Sequence, residues 1–207
     1  MPASTSEVYK RSVFINCPFD DAFKPLFEAM VFTVYACGYR PRCALDAQDS
    51  SEVRIDKIYD LIRDSQHSVH DLSRATGRKA ARYNMPFELG IFLGAKRYGG
   101  RRQSDKRCLV MERFRHGWQK YISDIAGCDV YAHRNRVGRV ILHVRDFLNM
   151  HDEADALPGA IFLRNSFAKF KQDLPKTLDA MGTSPSELQH KDFLKIVVEW
   201  QKGAEAR

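Results

Sequence analysis

Apolar and polar positions along this chain alternate between two periods. Ser12-Val13-Phe14-Ile15-Asn16 is a short run of strand formers, broken by Cys17-Pro18-Phe19. From about Asp21 to Ala36, behind Asp20 as a cap, Phe23, Leu26, Phe27, Met30 and Val34 recur at helical spacing, and Gly38 is a natural stop. Tyr39 to Leu45 reads as a second strand. Asp49-Ser50-Ser51-Glu52 has capping-box spacing and opens a helix carrying Ile55, Ile58, Leu61 and Ile62. Gln66 to Asp71 reads as a third strand despite His67 and His70. Arg107 to Met111 is a fourth and Asp129 to Ala132 a short fifth. Between them lie a helix with Pro86 in its first turn, ended by Gly99-Gly100, and a short one from Trp118 to Ala126. Val137 to Met150 carries Val140, Ile141, Val144, Phe147 and Leu148 at helical spacing.

Strand and helix thus alternate about five times in the first 150 or so residues. Such alternation predicts an α/β fold: a flavodoxin-like three-layer sandwich around a five-stranded parallel sheet, joined by right-handed crossovers. We place this domain at residues 8–155. A C-terminal helical extension, residues 156–207, follows. Ala160 to Met181 carries Phe162, Leu163, Phe167 and Phe170, with Pro175 near its end. Ser184-Pro185-Ser186-Glu187 marks a helix start, and Phe193, Ile196, Val197 and Trp200 one apolar face. The pattern leaves open whether these helices cover the sheet or form a dimer face. Residues 1–7 are small or polar and are expected to fray.

Composition narrows the class. With 207 residues, 44% hydrophobic and 29% charged, the chain suits one well-filled soluble domain. No apolar run is long enough to span a bilayer and no signal peptide pattern opens the chain, so no membrane partner is expected. The five cysteines are Cys17, Cys37, Cys43, Cys108 and Cys128. Scattered, odd in number and lacking CxxC pairs, they fit reduced thiols in a cytoplasmic protein rather than disulfides or a zinc ribbon. The net charge of +7 suits nucleotides, nucleic acid or anionic surfaces. Arg74, Arg78, Lys79 and Arg82 cluster in one connection. A solvated loop is the plain reading of such a run, but its place beside the next helix makes phosphate binding worth carrying.

That helix holds the most distinctive acid. Glu88 is the only charged residue between Arg82 and Lys96, and Met85, Leu89 and Phe92 flank it at helical spacing. A carboxylate among apolar groups must be paired, protonated or useful. The helix start favours its anionic form, with Asn84 as N-cap. The plain alternative is a first-turn Glu that caps its helix or pairs with Arg82. In an open parallel sheet, ligands bind beyond the carboxyl ends of the strands. That rule gathers Asn16, Cys17, Phe19, Asp20 and Asp21 after the first strand, Asp46, Gln48 and Asp49 after the second, and Asp71, Ser73 and Arg74 after the third. The set offers acids for ribose hydroxyls, an aromatic ring for a base and arginines for phosphate.

Phe14-Ile15-Asn16 with its loop acid, His70-Asp71-Leu72-Ser73 and Phe87-Glu88-Leu89-Gly90 resemble the nucleoside 2-deoxyribosyltransferase-like family and the neighbouring TIR domains, over about residues 12 to 132. The resemblance implies that Glu88 attacks, or stabilises charge at, the anomeric carbon of a ribose. It makes Glu88 and Asp71 catalytic, and Asn16, Cys17, Phe19, Asp20, Ser73, Arg74, Arg82 and Asn84 substrate-binding. It implies an N-glycosidase or glycosyltransferase with NAD or a nucleotide as substrate, no separate cofactor and no metal. The toxin or antiviral-defence role it suggests would call for a homo-oligomer or a regulatory protein partner. Two departures stand out. Cys17-Pro18-Phe19 replaces the small or Gly-rich residues common after the first strand, and the basic stretch from Arg74 to Arg82 suits a phosphorylated substrate better than a neutral nucleoside.

The competing class is a non-catalytic TIR-like module for protein interaction or nucleotide sensing. A buried, ion-paired Glu88 would favour it. A response-regulator receiver, suggested by Asp20-Asp21 and Asp71, lacks a Lys-Pro after the fifth strand. A metal at His67, His70 and Asp71 is disfavoured because positions 67 and 70 point to opposite faces of a strand. His116, His133 and His143 show no ligand spacing.

Overall fold

The computed structural model describes residues 5–46, 51–75, 82–152 and 156–205. Five strands, β1 (Ser12–Asn16), β2 (Arg40–Cys43), β3 (His67–Asp71), β4 (Arg107–Glu112) and β5 (Val130–Ala132), pair in parallel in the order β2-β1-β3-β4-β5. This is the flavodoxin-like order, and it reverses between β1 and β3. Both of those central strands are buried at every position, as a parallel sheet covered on two faces requires.

The helices are α1 (Thr5–Arg11), α2 (Lys24–Ala36), α3 (Arg54–Arg63), α4 (Asn84–Tyr98), the single turn α5 (Arg101–Ser104), α6 (Val137–Asn149), α7 (Ala160–Ala180) and α8 (His190–Glu205). Strand alternation divides the core between them. Val13 and Ile15 join Met30, Val144 and Leu148 under α2 and α6, whereas Phe14 packs with Ile58, Ile62 and Phe92 under α3 and α4. The same rule separates the two strand histidines. His67 meets Tyr39 and Phe147, while His70 meets Phe14 and Phe92 on the opposite face.

The C-terminal helices cover the molecule's own core. Every α2 residue from Leu26 to Val34 is buried, because the sheet takes one side and α7 and α8 take the other. The Phe32 ring lies 5.3 Å from Phe167, 5.4 Å from Phe170 and 5.9 Å from Trp200. Glu28, buried on α2, is paired with Lys171 Nζ at 2.6 Å. The sandwich therefore carries a fourth layer outside α2 and α6.

Four local expectations change. Thr5 to Arg11 forms a helix rather than a frayed end; Tyr9 anchors it, its hydroxyl donating to the Arg102 carbonyl at 2.8 Å. The box at 49–52 begins outside the described residues, and α3 starts later, at Arg54. The expected helix from Trp118 to Ala126 is two 3-10 turns, Trp118–Lys120 and Ser123–Ile125. The Trp118 N–H donates to Glu112 Oε2, and the Tyr121 hydroxyl to the Leu72 carbonyl, so the segment is tied to the strand ends as well as by its own short turns. The Ser184 box does close, Glu187 Oε2 accepting from the Ser184 N–H and hydroxyl, but it closes one turn and α8 begins at His190. No helix among the described residues is long and apolar enough to cross a membrane.

Candidate active site

The order reversal places the carboxyl ends of β1 and β3 side by side, the position at which this sheet type leaves a crevice. Cys17 follows β1 directly and is buried, and its thiol is pushed well above the ordinary range. Burial is the largest cause, followed by the negative charges of Asp71, Cys43, Glu88 and Asp20. Cys17 is thus surrounded by the predicted acids, but it is a neutral packing group and not a nucleophile.

Glu88 reaches this point from α4 and is 4% exposed. Burial pushes its carboxyl up to about 7, against the opposing effects of a side-chain hydrogen bond from Asn84 and the more remote charge of Arg54. Desolvation outweighs the helix-start preference for the anion. Asn84 Nδ2 stands 3.5 Å from Glu88 Oε1, and among the described residues Glu88 has no ion pair. Tyr83, not Asn84, occupies the cap, so Asn84 becomes the first helical residue and its amide turns one turn forward to the acid. Arg82 does not pair with Glu88. Its side chain is exposed, and its N–H donates to the Arg74 carbonyl at 2.8 Å. Arg78 and Lys79 lie outside the described residues.

Asp71 arrives on the other face of the sheet, the face of His67 and Val69, and is fully buried. Its Oδ1 accepts the Ser73 N–H at 3.0 Å, an Asx-turn that ends the strand. Its Oδ2 stands 3.1 Å from His133 Nε2 without hydrogen-bond alignment and has no hydrogen-bond partner among the described residues. His133 Nε2 instead meets Ser73 Oγ at 2.9 Å, while Nδ1 accepts the Asn135 N–H at 3.0 Å. Ser73, His133 and Asp71 therefore make no hydrolase triad. Nδ1 is taken by a backbone donor, and both partners crowd the same Nε2.

The remaining predicted residues divide. Asn16 Nδ2 bridges the Met85 carbonyl at 2.9 Å and His70 Nδ1 at 3.0 Å, tying β1 to the start of α4. Asp20 accepts the Phe23 N–H at 3.1 Å and pairs with Arg74 at 3.1 Å, linking the loops after β1 and β3. Phe19 packs edge-on against Phe27 and lines a cavity with Leu188, His190 and Phe193. The strand ends thus gather Glu88, Asp71, Cys17, Asp20, Ser73 and Arg74, while Asn16 supports them from behind and Phe19 turns toward α8.

Two members of the site were not anticipated. Glu112 ends β4, accepting the Trp118 N–H at 3.0 Å and the Tyr121 hydroxyl at 3.2 Å, and burial raises its carboxyl. His133 follows β5 directly. Their signal was position: both sit at carboxyl ends of strands, where Asn16 and Asp71 also sit. A separate cavity of 550 Å³ fills the gap where the three-residue β5 leaves the first half of β4 without a neighbour. It is lined mainly by apolar groups such as Leu93, Leu109 and Phe147.

Compared with known proteins, the chain matches no family model, no curated protein and no solved structure.

Proposed function

We propose that this protein is an N-glycosidase, cleaving the base–ribose bond of NAD or a related nucleotide with Glu88 beneath the anomeric carbon. One observation carries the reading: a buried carboxyl without an ion pair among the described residues, pushed up to about 7, at the reversal point of a parallel sheet. Such a group becomes a carboxylate when positive charge approaches. N-glycoside cleavage supplies that charge through its oxocarbenium-like transition state. The carbon–nitrogen bond breaks, the base leaves with the electron pair, and water attacking the sugar carbon gives up its proton to Glu88.

The burial of Asp71 favours a particular leaving group. A purine or pyrimidine needs a proton from a general acid, and a fully buried Asp71 held by Ser73 is poorly placed to deliver one. Nicotinamide leaves without protonation. Arg74, in the loop after β3, and Arg82, at the foot of α4, would attract phosphates. The interaction-module reading called for a buried, ion-paired Glu88; the side chain is buried, but none of the described cations pairs with it. The test is base release from NAD, NADP and a nucleoside and nucleotide panel, followed by chromatography beside Glu88→Gln. Release that falls by on the order of 1000-fold in the variant supports the assignment. Equal release by both proteins would remove Glu88 from the chemistry.

A further inference from the structure

Away from the switch point, three metal-ligating side chains converge where β2 meets α8. Cys43 ends β2, Asp46 follows it by one turn, and His190 is the first residue of α8. Asp46 Oδ1 stands 3.9 Å from Cys43 Sγ and 3.1 Å from His190 Nε2, and the three ligand atoms all lie within 4.8 Å of one another. Around a tetrahedral zinc ion, with Zn–S about 2.3 Å and Zn–N or Zn–O about 2.0–2.1 Å, ligand atoms stand roughly 3.3–3.6 Å apart. Shifts of a fraction of an ångström to about one ångström would bring the set onto a single ion.

The second observation is an unmet demand. The His190 side chain is 3% exposed, yet among the described residues neither ring nitrogen has a hydrogen-bond partner. The Asp46 oxygen beside Nε2 is close but out of line for a hydrogen bond. Buried polar atoms in that state are rare and call for a reason. Asp46 is also held from behind, its Oδ2 accepting the Cys43 N–H at 3.0 Å and facing Arg42 Nε at 3.4 Å. That leaves Oδ1 turned to Cys43 and His190, the kind of support that orients a metal-binding carboxylate.

We propose that Cys43, Asp46 and His190 form a zinc-class metal site that clamps α8 to the end of β2, with a fourth position for water. Thiolate, imidazole and carboxylate together suit zinc better than the harder alkaline-earth ions. On binding, the Cys43 thiol loses its proton to solvent and the sulfur–metal bond takes its place. Thiolate and carboxylate then balance the divalent charge, which makes partial burial tolerable. The site does not depend on Glu88 or on glycosidase activity.

The test uses the full chain, reduced and stripped with a chelator, titrated with Co2+ and then with Zn2+. A thiolate-to-cobalt charge-transfer band saturating at one ion per chain and displaced by Zn2+ is expected. It should survive Cys128→Ser, which alters an exposed thiol elsewhere. It should vanish in Cys43→Ser, and His190→Gln should weaken Co2+ binding by more than about 100-fold, beyond what loss of an outer-shell partner costs. Zn2+ should raise the Tm of the parent chain and leave that of His190→Gln unmoved. Absence of a band in the parent chain, or binding undiminished in His190→Gln with its circular dichroism intact, would overturn the proposal. Because His190 stands at a helix start, that variant decides the matter even if Cys43→Ser fails to fold.

Discussion

Glu88 carries an ionisation penalty that stability measurements can read. Its carboxyl is raised from 4.5 to about 7 by burial. Below pH 4.5 the group is protonated in both folded and unfolded chains, and no penalty exists. Between 4.5 and about 7 the unfolded chain ionises first, so stability falls as pH rises, and the loss is complete above about 7. That displacement corresponds to on the order of 3 kcal/mol. Glu88→Gln escapes it, so urea titrations should show the variant gaining on the parent by roughly that amount across this range. A difference that stays constant with pH would mean a solvated carboxyl. For catalysis the sign reverses. If Glu88 works as a carboxylate, kcat/KM for base release rises with pH through about 7, whereas a falling profile would give it the acid's role. Its isolation among apolar neighbours was plain from the residues alone, but its lack of an ion pair among the described residues was not, since that depended on where Arg82 and Arg54 came to lie. Lys106 was equally illegible. It is fully buried, donating to the Ile62 and Ser65 carbonyls where α3 ends and lying 4.6 Å from the Phe92 ring. Local pattern puts a lysine at the surface, and only the fold supplies helix-end carbonyls to receive it.

At the scale of the element, α7 divides sharply between its faces. Phe170 is fully buried between Phe32, Phe193 and Trp200, whereas Phe162 on the same helix is 63% exposed. Phe170→Ala should cost about 3–5 kcal/mol in urea unfolding, and Phe162→Ala should stay within about 0.5 kcal/mol of the parent. Comparable losses at both sites would mean that Phe162 is covered in solution. The helical period of this segment was legible, but both phenylalanines entered its apolar set, because periodicity identifies a stripe and not its edge. The turns from Trp118 to Ile125 were misread for a related reason. Beside their own short-range backbone bonds, they are held by Glu112 and the Leu72 carbonyl, groups outside the helical period and supplied by the ends of β4 and β3.

For the whole molecule, the buried cluster that begins at Val13 and Ile15 continues through α2 into α7 and α8. The two tryptophans sample opposite ends: Trp118 packs beside Met85 and Leu89, and Trp200 against Phe32 on the outer layer. Trp118→Phe and Trp200→Phe each leave one tryptophan, and in each variant tryptophan fluorescence and far-UV circular dichroism should report the same urea midpoint if sheet and outer layer melt together. Loss of the Trp200 signal before the circular dichroism signal in Trp118→Phe would make the outer layer a separate unit. The α/β class, the five strands and the placement of Asn16 and Asp71 at the carboxyl ends of strands were determined by sequence alone, because hydrophobic period and strand–helix alternation are local properties that leave a parallel sheet few ways to form. Tertiary structure alone decided that α7 and α8 cover α2, that Glu112 and His133 join Asp71, that Asn16 supports the site from behind, and that Cys43 and Asp46 meet His190. Each of those contacts joins segments far apart in the chain, and no local period records which distant surface a side chain will meet.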